Sequence, residues 1–385
     1  MRFYLAPMEG ITGYVYRKTY QELFHNVDKY FIPFVEPHQK RDFNAKELNE
    51  ISRENNQGYC VPQILTNQAE GFLRTAQALA EQGYEEVNLN LGCPSGTVVA
   101  KGKGAGFLEY PEKLDLFLRK IFASAPCRIS IKTRIGRYEP EEFGRLLEIY
   151  RQYPLEELII HPRSREDYYA GTPNWPVFAE ALRCSEDTAK MLRCSEDTAK
   201  MLRCSEDTAR MLRCSEDTAE MPRYGREEMG KSQEGSLRRQ GTWPVCYNGD
   251  IFSAADYKRL LTAFPTLSTV MLGRGIIGNP CLIDEIKAAD RLENGWEQEK
   301  DPVSGFKKDQ HPGRDWDKIR EFHDLIYQRY QETLSGDRPL LFKMKDLWCY
   351  LGSLYPGQEK QIKKLKKVQK KGEYEILAGN IFNIL

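Results

Sequence analysis

The segment VNLNLGCPSGTVVAKGKGAG, Val87 to Gly106, sets a carboxamide, a thiol and a flexible basic loop in close succession. Asn88 and Asn90 alternate with Val87, Leu89 and Leu91, the pattern of a strand with one polar and one apolar face. Gly92, Cys93 and Pro94 then end it. Other short apolar runs also stop at polar groups: Pro7-Met8-Glu9-Gly10, Gln63, Lys132 with Arg134, His161 with Arg163, Asn248-Gly249-Asp250 and Gly273-Arg274-Gly275. Each has an ordinary explanation on its own, since Asn-Gly-Asp makes turns and a lone cysteine packs well. Together they suggest chemistry. Glycine turns expose backbone N–H groups that can hold a phosphate, and Arg274 adds a cation. A ring seated beside such a phosphate would meet Gln63, Asn90 and Lys132, and Lys132 is suited to stabilise negative charge on a reduced flavin. No GxGxxG turn opens a helix, so a Rossmann-type dinucleotide site is not supported.

These residues need a frame that brings them together. Eight strand-like runs are legible at 2–8, 30–34, 59–65, 86–92, 128–136, 157–163, 244–251 and 268–275. Amphipathic helical patterns separate most of them, as in AEGFLRTAQALAEQGY and PEKLDLFLRKIFASA. Asn67 and Ser253 stand where helix N-caps belong, and Gly83 where a helix would end. The unit after the second strand is the weakest, because its helix near 44–52 is short and polar. Alternation of this kind predicts parallel βα units, and eight units predict a closed (β/α)8 TIM barrel over residues 1–290. In that fold chemistry sits at the C-terminal ends of the strands, where the polar groups fall.

The barrel pattern is interrupted at 182–241 by four near-identical decapeptides beginning LRCSEDTAKM, followed by a polar segment. A ten-residue period does not match the helical repeat, so no apolar stripe runs along it and a solvated excursion is expected. Residues 291–313 read as a linker, and 314–385 as a small C-terminal all-helical domain. Lys+Arg and Asp+Glu number 56 each, so net charge points to no partner. The six cysteines outside the repeats form no C-x-x-C pair, and neither a disulfide framework nor a metal site is expected. No apolar run approaches the ~18 residues of a membrane span, and the start MRFYLAPMEG lacks a signal-peptide pattern. A cytoplasmic monomer without membrane contact is expected.

In order and spacing, APMEGIT, NLNLGCPSGTV with KGKGAGFL, IKTRIG, HPRSREDYYAGTPNW, CYNGDI and VMLGRG resemble the flavin-dependent tRNA-dihydrouridine synthases. LFKMKDLWCYLGSLY resembles, more weakly, that family's helical RNA-binding domain. The resemblance implies reduction of the C5=C6 bond of particular uridines in tRNA, with FMN bound and NADPH as electron donor. It implies that Pro7, Met8, Glu9, Gln63, Lys132, His161, Asn248, Gly249, Asp250, Gly273 and Arg274 hold FMN. Cys93 is then the proton donor, and Asn90 orients the base or the flavin. An ordinary thiol is mostly protonated at neutral pH and can act as an acid. The glycines from 102 to 106 would let it close over an extruded base. Lys101 and Lys103 are candidates for RNA phosphates, as are Lys363, Lys364, Lys366, Lys367, Lys370 and Lys371 in QIKKLKKVQKK. Trp348 and Tyr350 read as core of the helical domain. Gly96 stands where many relatives carry Lys. Two other readings remain open: a flavin barrel of the dihydroorotate-dehydrogenase type acting on a small molecule, and an RNA-binding protein without chemistry.

Overall fold

A computed structural model describes residues 1–185, 243–293 and 312–383. The decapeptide repeats from 186 onward lie outside the described residues. Eight strands form one closed barrel in chain order: β1 (Arg2–Leu5), β2 (Lys29–Val35), β3 (Cys60–Ile64), β4 (Glu86–Leu91), β5 (Arg128–Arg134), β6 (Leu158–His161), β7 (Val245–Tyr247) and β8 (Thr269–Leu272). Every pairing is parallel, and β1 closes on β8 with Arg2 opposite Thr269 and Leu5 opposite Leu272. The strands are shorter than their apolar runs at the C-terminal ends. There side chains take over from the ladder: the Met8 N–H donates to Thr12 Oγ1 (2.8 Å), and Asn248 Nδ2 donates to the Met271 carbonyl (2.8 Å).

The period-two alternation decides what faces inward. Val87, Leu89 and Leu91 are fully buried outside the barrel wall in the main core, with Phe72, Leu79, Leu114 and Phe117. Inside, Tyr4, Phe31, Val61, Ile159, Cys246 and Met271 form a separate apolar plug. Toward the N-terminal ends of the strands lies a buried ionic cluster. Lys29 Nζ meets Glu86 Oε2 at 3.1 Å and Glu157 Oε2 at 3.3 Å, while Tyr4 and Tyr59 donate to Glu157 and Glu86. Burial pushes the Glu157 carboxyl up, against the lowering pull of Lys29.

The helices are α1 (Tyr14–Phe24), α2 (Ala45–Ile51), α3 (Ala69–Glu81), α4 (Gly96–Val99), α5 (Pro111–Ser124), α6 (Glu142–Tyr150), α7 (175–185), α8 (Ala254–Ala263), α9 (Arg274–Gly278) and α10 (Leu282–Glu293). The short α2 is held by a capping box between Asn44 and Glu47. Ser253 caps α8 as expected, accepting from the Asp256 N–H. Gly83 follows α3 with φ +87°, a left-handed position that suits glycine. Asn67 is not the cap of α3: Gln68 occupies that position without a side-chain bond. The Asn67 amide donates instead to the carbonyls of Lys101 (3.0 Å) and Gly102 (3.2 Å), a long-range use that no local pattern announces.

Among the described residues, four α-helices make the C-terminal region: α11 (Trp316–Thr333), α12 (Asp337–Leu351), α13 (Glu359–Leu365) and α14 (Lys371–Phe382). They dock on the barrel through α1. Phe322 meets Tyr16, Tyr20 and Phe24 edge-on, at centroid distances of 5.2, 5.8 and 5.6 Å. Arg329 reaches Thr19 and Glu22 of the barrel, and Lys343 Nζ donates to the Gly10 carbonyl at 2.6 Å. Trp348 is fully buried and donates to the Tyr374 hydroxyl, as a core residue should.

Removing one partner of a buried ion pair strands the other charge, at about 3–5 kcal/mol. Lys29→Met is expected to lower stability in urea by that amount. Glu157 is shifted upward in the folded state, so its protonated form is the tolerated one. The loss should therefore shrink as pH falls; a loss that grows on acidification would contradict this.

Candidate active site

At the C-terminal ends of the strands a cavity of about 400 Å³ opens. Pro7, Met8, Glu9, Gln63, Asn90, Cys93, Lys132, His161, Asn248, Gly249, Asp250, Gly273 and Arg274 all line it. Barrel closure thus brings these thirteen residues together, while Gly10, Asn88 and Arg163 do not line the cavity.

A chain of amide bonds runs across its base. Asn88 Nδ2 donates to Ser130 Oγ (2.9 Å), Gln63 Nε2 to Asn88 Oδ1 (2.7 Å), and Asn90 Nδ2 to Gln63 Oε1 (2.6 Å). Asn90 Oδ1 then accepts from the N–H groups of Gly92 (3.0 Å) and Cys93 (2.9 Å). The Asn90 carboxamide is therefore committed to the turn that carries Cys93. Arg134 holds the same turn from β5, with Nε donating to the Gly92 carbonyl (3.0 Å) and Nη1 to the Ser164 carbonyl (2.7 Å).

The electrostatics follow from burial. Burial raises the Cys93 thiol above its ordinary value; the Ser95 backbone N–H, Lys132 and Arg134 only partly oppose this. The group is a protonated acid at neutral pH. Burial, together with Arg134, brings the Lys132 ammonium down to about 8. Among the described residues it makes no hydrogen bond and no ion pair. His161 is held well below its ordinary range by burial and by Arg134, Lys132, Arg163 and Arg274. It is neutral, and since a guanidinium can only donate, its Nε2 accepts from Arg163 Nη1 at 3.3 Å.

Asp250 receives Arg163 Nη2 (2.6 Å) and Arg274, so its carboxylate locks the loops after β6, β7 and β8 together. Gly249 cannot be replaced without displacement, because a Cβ there would lie 2.1 Å from the Tyr247 hydroxyl. At Gly275 a Cβ would lie 1.9 Å from the Ile251 carbonyl. The backbone at these two turns is laid directly against its neighbours, and α9 starts at Arg274 with Gly273 as its cap.

The aromatic wall was not legible in the sequence. Tyr168, Tyr169, Phe252 and Tyr350 all line the cavity. Arg274 lies 4.6 Å from the Tyr169 ring centroid, and Arg134 lies 5.4 Å from it. Tyr168 adopts φ 48°, a left-handed conformation unusual for a tyrosine. Tyr350 corrects the expectation of a core residue: α12 turns it to the cavity, whereas Trp348, two residues earlier, is internal. Helical periodicity shows that α12 has a buried face but not which part of that face meets the barrel.

The other lysines lie elsewhere. Among the described residues, Lys132 alone of them lines the cavity. Lys101 is exposed, but Lys103 pairs with Glu36 at 2.7 Å. The segment QIKKLKKVQKK is not one helix. α13 ends at Leu365 and α14 begins at Lys371, and Ile362, Leu365 and Val368 between the lysines are buried. Lys363, Lys364, Lys366, Lys367 and Lys370 remain exposed, and Lys371 approaches Glu375 at 3.9 Å.

Fold and site together define a (β/α)8 barrel with a rim cavity that offers a protonated thiol, an ammonium unpaired among the described residues and two close-packed glycine turns. The family model described as Dihydrouridine synthase (Dus) matches residues 4–181 and 232–375, most of the chain. The chain belongs to the dihydrouridine synthase family. It is 28% identical over 187 residues to a probable tRNA-dihydrouridine synthase of Staphylococcus epidermidis (strain ATCC 12228), covering 48% of this chain and 56% of that protein. The probable tRNA-dihydrouridine synthase of Staphylococcus aureus (strain Mu50) is 29% identical over 189 residues, with 48% and 56% covered. The probable tRNA-dihydrouridine synthase 2 of Bacillus subtilis (strain 168) is 25% identical over 189 residues, with 49% and 58% covered. The chain spans about half the length of the curated relatives it matches.

Alkylation follows the thiolate fraction. The pH profile of Cys93 alkylation should have its midpoint above the ordinary thiol value. Lys132→Met should move that midpoint higher, since Lys132 favours the thiolate. A midpoint at or below the ordinary value would contradict the assignment of Cys93 as an acid.

Proposed function

We propose that this chain reduces the C5=C6 bond of specific uridines in tRNA to 5,6-dihydrouridine. FMN is held at the barrel rim, NADPH is the electron donor and Cys93 the proton donor. The observation that carries the reading is Cys93, a protonated thiol fixed by Asn90 and Arg134 beside an ammonium without a partner. Family membership supports it.

The residues present fit FMN. Lys132 is a cation without an anionic partner among the described residues, suited to a ring that becomes negative on reduction. The turns at Gly249 and Gly273 suit a phosphate tail, and Arg274 offers it a cation. Gln63 keeps one donor and one acceptor position beyond its bonds to Asn88 and Asn90. When bound, FMN supplies the hydride that goes to C6 of the uracil.

The chain's own residues supply the rest. As charge builds at C5 and the neighbouring carbonyl, the Cys93 Sγ–H gives its proton to C5. Lys132 and Arg134 lower the cost of the thiolate left behind, and solvent reprotonates it. Arg134 and Asn90 keep the turn from drifting during the transfer. A stacked base cannot enter the cavity, so the target uridine is extruded from the RNA. Tyr350 brings the helical domain to the cavity wall, where a macromolecular substrate would contact both parts of the chain. The exposed lysines of 363–370 supply non-specific phosphate attraction. Such an enzyme works in the cytoplasm, where tRNA is processed.

Cys93→Ala should leave flavin reduction by NADPH intact while dihydrouridine formation falls by at least about 100-fold, the lower range for a general acid. Parental dihydrouridine yield would remove Cys93 from the mechanism. Changing Lys363, Lys364, Lys366 and Lys367 to Gln should weaken tRNA binding. The slope of log affinity against log salt should become shallower by about 0.7–0.9 for each phosphate no longer neutralised. An unchanged slope would place the RNA on another surface.

A further inference from the structure

The basic loop after Cys93 is fastened to the barrel at two points that the reaction itself does not require. Asn67, just after β3, donates to the carbonyls of Lys101 (3.0 Å) and Gly102 (3.2 Å). Glu36, just after β2, accepts from Lys103 Nζ at 2.7 Å. This pair is only partly exposed, at 20% for Lys103 and 37% for Glu36, so solvent screens it less than an open surface pair. The loop is in turn coupled to the thiol residue. The Ala105 N–H donates to the Cys93 carbonyl at 3.1 Å. Gly104, at φ +55°, lies so close that a Cβ would stand 2.9 Å from the Cys93 carbonyl oxygen and 3.0 Å from the Cys93 Cβ. Movement of residues 101–104 therefore moves Cys93.

Asn67 is also a residue diverted from local work. It sits one position before the N-cap of α3, and that helix starts without a side-chain cap. A carboxamide that could serve the helix is spent across the rim on the loop, with both carbonyls within reach of one Nδ2.

We infer that Asn67 and Glu36 are positioning residues that latch the 101–104 loop to the rim after β2 and β3 and so fix where Cys93 stands. The inference rests on Cys93 being the proton donor. The latch has one permanent half and one exchangeable half. The amide bonds of Asn67 involve no charge, whereas Lys103 can trade the Glu36 carboxylate for an RNA phosphate. Arrival of RNA would thus loosen the loop at Lys103 while Asn67 keeps its register.

The test is the rate of Cys93 alkylation by iodoacetamide in the flavin-loaded protein without RNA, read by peptide mass spectrometry. The exposed Cys349 serves as the internal reference. Without the two amide hydrogen bonds, Asn67→Ala should raise the Cys93 rate about fivefold. Glu36→Gln should raise it about twofold. The Cys349 rate and the rate of flavin reduction by NADPH should not change in either variant. The charge-exchanged double variant Glu36→Lys, Lys103→Glu should return the Cys93 rate to the parental value, which a merely structural role would not require. Should Asn67→Ala fail to fold, Asn67→Ser carries the same expectation. A parental or lowered Cys93 rate in the folded Asn67 variant overturns the latch, as does an exchanged pair that behaves like Glu36→Gln. Because alkylation needs no turnover, a parental protein that forms no dihydrouridine would overturn the proposed function separately.

Discussion

The amide chain Ser130–Asn88–Gln63–Asn90 is the constraint on which the site depends. It spans β3, β4 and β5 inside a barrel whose centre holds an apolar plug. A buried carboxamide left without partners costs roughly 1–3 kcal/mol. Each amide here satisfies the next, and the chain ends on the backbone of Gly92 and Cys93. The thiol is thus held from below by the closure of the barrel, while the Ala105 N–H on the Cys93 carbonyl couples it to the loop that follows.

The same end of the barrel concentrates positive charge. Lys132, Arg134, Arg163 and Arg274 surround the neutral His161; burial first, and these neighbouring cations second, lower His161, Lys132 and Arg134. Asp250 compensates Arg163 and Arg274 but leaves Lys132 without a partner among the described residues. A fold selected for stability alone would not leave an ammonium in this position. At the opposite end Lys29, Glu86 and Glu157 are paired to one another. The contrast between a satisfied floor and an unsatisfied rim is the physical signature of a binding site.

Much of this was legible in the chain. The alternation in VNLNL separates Asn88 and Asn90 from Val87, Leu89 and Leu91 without reference to any fold, because a strand has period two. The glycine turns at 248–250 and 273–275 were legible because Asn-Gly-Asp and Gly-Arg-Gly after a strand mark tight turns, and at Gly249 and Gly275 the backbone approach indeed leaves no room for a side chain. What escaped depended on contacts distant in sequence. Asn67 carried the local signature of a cap, but its partners lie at 101 and 102. Tyr350 lies on a helix whose buried face meets both its own domain and the barrel, and periodicity does not separate the two. The lysine segment read as one strip because charge dominates its composition. It is in fact a helix, a turn and a second helix start, with Ile362, Leu365 and Val368 buried among the lysines. The union of Arg163 and Arg274 on Asp250 joins three loops, a pairing visible only once the barrel closes.

Two parts of the chain therefore meet at one cavity: the amide chain that holds the thiol from below, and the C-terminal helices through Tyr350. Both make sense if the ligand is a base presented by a large RNA. The most direct measurement is nucleoside mass spectrometry of tRNA from cells that lack dihydrouridine, after expression of this chain. The account predicts dihydrouridine at defined uridine positions, accompanied by protein that purifies yellow with flavin. tRNA that stays unreduced at every position while the protein is folded and flavin-loaded would contradict it.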